Sequence, residues 1–293
     1  MHWFVPYDFS PTLLALWLLA ALLFVRGCRR RRVARARQAL FWTGMLSIYV
    51  SLLTYFDFYA LHQFFIDRIQ QVLMHHVGPL LMMMAYPLSV WRAALPLRLR
   101  TRVLKPMRQS MAWRAFAAVA FNPLLATLAF VAVVLVWLLP RMMTLAMLDV
   151  RLYWAMNLSM LASGLIYWGL VVDHRPRPPA RMGPGMRVLS PGFSMTPQII
   201  AGAYITFTVK DLYPVFAVCG RVFDINVMVD QQLGGLITWV PAAMVEAFAA
   251  LVALRIWMNL SNTPRGQARR ARLRAAVVAA SSGGTGQDRS SAA

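Results

Sequence analysis

Long apolar blocks, each separated from the next by a short polar or arginine-rich interval, organise this chain from end to end. Seven of them run over about residues 9–25, 38–58, 69–91, 115–139, 152–172, 196–218 and 233–258. A helix crossing the hydrocarbon of a bilayer needs about 20 mostly apolar residues, so each block predicts one span. The blocks are continuous, without the ten-residue alternation of polarity that marks barrel strands. The expected fold class is an all-α polytopic membrane helix bundle with seven transmembrane helices. No block repeats another. Proline lacks the donor that a helix interior requires, so kinks or breaks are expected at Pro79 and Pro87 in the third block, Pro214 in the sixth and Pro241 in the seventh.

Charge placement orients the bundle. Lys and Arg number seven in residues 26–37, six in 96–114, four in 173–187 and five in 265–274, whereas the alternate intervals hold only Arg68, Arg141, Arg151 and Arg221. Cytoplasmic loops carry such an excess. The predicted topology therefore has the N-terminus outside and the C-terminus cytoplasmic, in a bacterial inner (cytoplasmic) membrane. No positive charge precedes the first block and "RGCRRRRVARAR" follows it. That order reverses a cleavable signal peptide, so the block is expected to remain as an anchor. Residues 1–262 read as the seven-helix domain. Residues 263–293, basic and then Gly/Ser-rich, read as a disordered cytoplasmic tail.

Composition agrees. Of 293 residues 59% are hydrophobic and 14% charged, with mean hydropathy +0.56, outside the range of soluble domains. The net charge of +20 sits in loops facing anionic lipid, so no nucleic-acid partner is expected. Cys28 and Cys219 fall on opposite sides of the predicted membrane, too far apart for a disulfide.

The chemistry collects at the outer half. "DRIQQVLMHHVGPLLMMMAYP", residues 67–87, carries Asp67, Gln71, Met74, His75 and His76. Regular helical spacing places 67, 71, 74 and 75 on one face and turns His76 about 100° away. Met82, Met83 and Met84 are consecutive and cannot share a face, so packing explains most of them. At the same level lie Asp57, His62, Lys210, Asp211 and the "VMVDQQLGG" stretch with Asp230 and Gln231, while Glu246 sits near the middle of the last block. Ionisable groups within spans are costly and by default mark function. Imidazole with thioether suits Cu(I), whereas zinc would favour cysteine and calcium or magnesium would need clustered carboxylates. The expected metal ligands are His75, His76, Met74, His62 and Asp67, with Asp57, Gln71, Asp230 and Gln231 orienting or gating them. Three alternatives stand beside copper. Haem could be held by His62 and one of His75 or His76; the histidines could serve only as interhelical hydrogen bonds; and a transporter could use Lys210, Asp211 and Glu246. No nucleophile elbow, phosphate loop or HExxH motif is present, so no enzyme is expected.

Residues 54–88, "TYFDFYALHQFFIDRIQQVLMHHVGPLLMMMAYPL", resemble the signature region of the CtaG family of cytochrome c oxidase assembly factors, and "DQQLGGLITWVPAAMVE" at 230–246 resembles that family's last helix. The resemblance covers nearly the whole chain. It implies a non-enzymatic inner-membrane factor that supports the copper centre of a haem-copper oxidase. Its implied partners are the catalytic subunit of that oxidase and other copper chaperones. The family commonly carries histidines where this chain has Asp67 and Gln71. Asp67 is a hard ligand for Cu(I) and neutral Gln71 a poor one.

Overall fold

A computed structural model describes residues 10–264, 267 and 268. Except for residues 263, 264, 267 and 268, the tail expected at 263–293 lies outside them. The described residues are 82% helical and contain no strand, as the continuous apolar blocks require. The first elements are α1 (Pro11–Arg30), α2 (Arg35–Leu53), α3 (Phe56–His62) and α4 (Phe64–Gln71). A π-helical turn, Val72–Val77, joins α4 to α5 (Gly78–Met84), and α6 (Pro87–Ala94) follows. Next come α7 (Leu97–Leu99), a second π turn (Arg100–Leu104), α8 (Lys105–Gln109) and α9 (Met111–Ala120). The remainder is α10 (Pro123–Leu138), α11 (Pro140–Leu148), α12 (Val150–Val171), α13 (Pro184–Phe207), α14 (Val215–Val218) and α15 (Val227–Ser261).

Among the described residues, three helices are long and apolar enough to cross a membrane: α1, α12 and α15. Counting the bent pairs α2–α3 (55°) and α9–α10 (66°) as single spans brings the number to five. The third and sixth expected spans are the exceptions, and both carry buried polar side chains. The third is Phe64–Met84 and stops at Tyr86, whose left-handed backbone (φ 56°) turns the chain into α6. Pro87 thus opens a helix, where its missing N–H costs nothing. The sixth was expected at 196–218 but is α13, which starts at Pro184 and ends at Phe207. Lys210, Asp211 and Pro214 therefore lie beyond it on irregular chain. The interior prolines of α13 are Pro191 and Pro197, and Pro241 lies inside α15.

The bundle is turned outward as lipid demands. Leu16, Leu22, Phe193, Ile200 and Phe207 are exposed, while Asp67, Arg68, Gln70, Asp230 and Glu246 are buried. α13 runs along α15, α15 also meets α4, α2 packs on α5, and α10 on α12. The core divides into three clusters. One surrounds Phe24 and Phe41, whose rings stack at 3.6 Å, and includes Met45, Met74 and Met82. A second holds Phe130, Tyr167 and Trp168. The third holds Phe64, Met143, Met147, Met156, Met160 and Phe216.

Candidate functional site

Pro79 is the local cause of the site's shape. Having no N–H, it cannot donate to His75 O four residues back, and its ring crowds that carbonyl. The helix responds with a π turn, in which Gly78 N–H reaches Leu73 O five residues away. The freed His75 carbonyl accepts instead from Trp168 Nε1 at 3.0 Å. α12 approaches closely enough because residue 164 is glycine: a Cβ there would stand 2.5 Å from His75 O. The extra residue in the turn changes the helical phase. His75 and His76, expected to diverge, both line one small cavity, with ring centroids 4.9 Å apart. Met74, expected beside His75, instead joins the Phe24–Phe41 cluster.

That cavity holds about 20 Å³ and is lined by Arg68, Gln71, Val72, His75, His76, Val134, Met160, Gln198 and Thr238. The volume admits one water molecule or one monatomic ion. Each histidine is fixed through one nitrogen. His75 Nδ1 lies 2.9 Å from Met160 O and the ring stacks on Phe130 at 4.0 Å. A carbonyl only accepts, so Nδ1 carries the proton and Nε2 keeps its lone pair. His76 Nε2 lies 3.1 Å from Gln198 Oε1. The Gln198 amide is oriented by its own Nε2, which donates to Glu246 Oε1 at 2.9 Å. Oε1 therefore accepts from His76 Nε2–H, and the lone pair falls on Nδ1. Those two nitrogens, His75 Nε2 and His76 Nδ1, have no hydrogen-bond partner although both are buried. Glu246 Oε1 stands 4.0 Å from His76 Nδ1, outside hydrogen-bonding range.

Polar groups continue on both sides. Ser194 Oγ donates to Glu246 Oε2 (2.8 Å), and Tyr167 Oη meets Ser194 Oγ at 3.1 Å and Ser190 Oγ at 3.2 Å. Toward α4, Gln71 Nε2 donates to Asn157 Oδ1 (3.3 Å), and Arg68 pairs with Asp67. Asp57 accepts from Gln70 Nε2 and Tyr153 Oη, each at 2.6 Å.

The family model of the cytochrome c oxidase caa3 assembly factor, Caa3_CtaG, matches residues 18–259. The chain belongs to this family. No curated protein and no solved structure matches it.

In this family member the expected ligand residues do not gather at one point. His75 and His76 meet at the cavity. Asp67 is held by Arg68, Met74 belongs to another cluster, and His62 is on α3 with Nδ1 2.7 Å from Phe58 O. No three His, Cys, Asp or Glu side chains among the described residues form a metal-sized group. Asp230 and Gln231 fasten structure: Asp230 accepts from Phe64 N (3.3 Å) and Phe65 N (2.9 Å) and pairs with Arg221, capping α4 from another helix. Gln231 Oε1 accepts from Leu212 N (2.7 Å), and its Nε2 donates to Lys210 O (3.0 Å).

Of the cavity residues that escaped the sequence reading, three bear most on its chemistry. Arg68, treated there as a loop charge, is 2% exposed, and the clue lay in its helical spacing from Gln71 and His75. Gln198 and Met160 carried no local signal, because only packing across helices brings them to the histidines.

Proposed function

We propose that this protein, a member of an oxidase assembly factor family, supports maturation of the copper centre of a haem-copper oxidase by holding Cu(I) as cargo at His75 and His76. It acts without catalysis, and its partners are the catalytic subunit of that oxidase and the copper chaperones that serve it. One observation carries the reading: two adjacent buried imidazoles, each with its proton committed elsewhere, leave two lone pairs unpartnered beside an ion-sized cavity. A buried acceptor without a partner is unfavourable by about 1–3 kcal/mol. Two neutral nitrogens with a thioether nearby form a donor set suited to Cu(I). Donation of the second ring N–H to a carbonyl, made by His75 to Met160 and by His76 to Gln198, is the usual way a ligating histidine is held. The cavity has no room for a macrocycle, which argues against haem.

The membrane arrangement we propose has seven passes. Phe64–Met84 and α13 join the five traverses recognised by length and apolarity. Arg68 and Arg221 are paired with interior acids, leaving Arg141 and Arg151, with Lys210 on the chain beyond α13, as the remaining basic side chains of the proposed outer side. This sharpens the bias toward an N-out, C-in topology in the bacterial inner membrane.

The test is the metal content of the oxidase in cells carrying His75→Ala/His76→Ala at wild-type abundance. Copper-deficient oxidase with normal haem is expected. A metal-free scaffold is the second reading, favoured by the His75–Met160 and His76–Gln198 bonds between helices. Full oxidase copper in the double variant would establish it and remove the copper role.

A further inference from the structure

Two imidazoles leave a Cu(I) donor set open, and the methionine expected to complete it faces elsewhere. Met160 on α12 lines the cavity in its place. It does not stand alone. Met156 lies one turn earlier on α12, and Met143 and Met147 are one turn apart on α11, which packs against α12. This spacing puts each pair on one helical face. All four are buried in the same cluster, which ends at the histidine pair through Met160. α11 lies at the end of the bundle that carries Arg141 and Arg151, the side proposed above as outer.

We propose that Met147, Met143, Met156 and Met160 form a thioether track that conducts Cu(I) from the outer end of the bundle to the histidine pair, with Met160 as the third ligand. The inference rests on the copper reading above and adds the route and the ligand. Each transfer forms one Cu–S bond as another breaks, and the last step adds His75 Nε2 and His76 Nδ1. Copper stays Cu(I). Thioethers and the two free imidazole lone pairs carry no proton, so neither an electron nor a proton is exchanged. The buried Arg68–Asp67 pair is neutral overall, so it leaves no uncompensated positive charge beside the incoming cation.

Packing alone would also bury four methionines, and leucine separates the two explanations because it matches methionine in volume but has no donor. The full chain, purified anaerobically in detergent, is loaded from a Cu(I)–bicinchoninate complex and followed by stopped flow, chelator competition and copper X-ray absorption. Wild type is expected to bind one Cu(I) with a sulfur neighbour. Met160→Leu should lose that neighbour and bind on the order of tenfold more weakly. Met156→Leu and Met143→Leu/Met147→Leu should keep the affinity and spectrum but load several-fold more slowly. Selenomethionine-labelled wild type supplies the same answer without substitution, through a Cu–Se distance at the absorption edge. Copper bound by nitrogen alone, or unchanged loading in the Met143/Met147 variant, overturns the track and leaves the copper reading standing. Absence of any binding by wild type overturns both.

Discussion

At the residue scale, the site depends on which nitrogen of each histidine is tied down. Gln198 decides this for His76, because its amide is oriented by Glu246 and Ser194. Replacing Gln198 with Leu removes the acceptor of His76 Nε2–H and frees the ring to turn. Cu(I) affinity is expected to fall about 10–100-fold, with a stability loss of about 1–3 kcal/mol for the unpaired N–H; chelator competition and thermal unfolding in detergent read the two effects separately. An unchanged affinity would mean that Gln198 does not hold the ring. Asp173 provides a second case, outside the spans. Burial pushes its carboxyl up, but hydrogen bonds and charge from Arg175, with Arg187 behind it, prevail and hold it below the usual carboxylate range. Arg187 also donates to Asp173 O, Arg175 O and Met182 O, binding the 172–183 loop to α13. A depressed carboxyl stabilises the fold above its unfolded pKa of about 3.9, and that contribution drains away as pH falls through the lower folded value. Amide protection across the 172–183 loop, read by hydrogen exchange, should therefore fall on acidification below about pH 4, and Asp173→Asn should show low protection already at neutral pH.

At the element scale, the π turn is the feature that regular periodicity conceals. Apolar block lengths made the helices legible, and the cost of ionisable groups in lipid singled out His75 and His76. The phase of the helix was not legible, because it follows from Pro79 acting with Trp168 and Gly164 on a helix more than 80 residues away. The same blindness exchanged Met74 for Met160. The sixth block was misplaced for a different reason: Ser190 and Ser194 lower the apolarity of the first half of α13, although the interior of the bundle buries both. Two substitutions test this account. Deleting Val72 should restore a regular helix and swing the histidines out of register, abolishing Cu(I) binding with little change in helical circular dichroism. Gly164→Ala should drive α12 off His75 O at a cost of about 1–3 kcal/mol, measured as a lower Tm. A variant as stable as wild type would show that the close approach is not needed.

At the scale of the whole molecule, an apolar exterior surrounds a column of buried polar groups, and that column gains its direction only from topology. Asp57, Gln70 and Tyr153 lie toward the end carrying α3 and α11, and Tyr167, Ser190 and Arg187 toward the end carrying the 172–183 loop, with the histidine cavity between them. An assembly factor that receives Cu(I) at one end needs that end outside, whereas the basic loops need anionic lipid at the cytoplasmic face. Both requirements predict the same orientation, which makes it a sharp test. In protein lacking Cys28 and Cys219, a cysteine replacing Arg141 should react with a membrane-impermeant maleimide in intact cells, and one replacing Ser110 should react only after permeabilisation. The reverse pattern would place the methionine cluster at the cytoplasmic end. Copper would then have to approach from inside the cell, and the track would run against the side from which it is proposed to load.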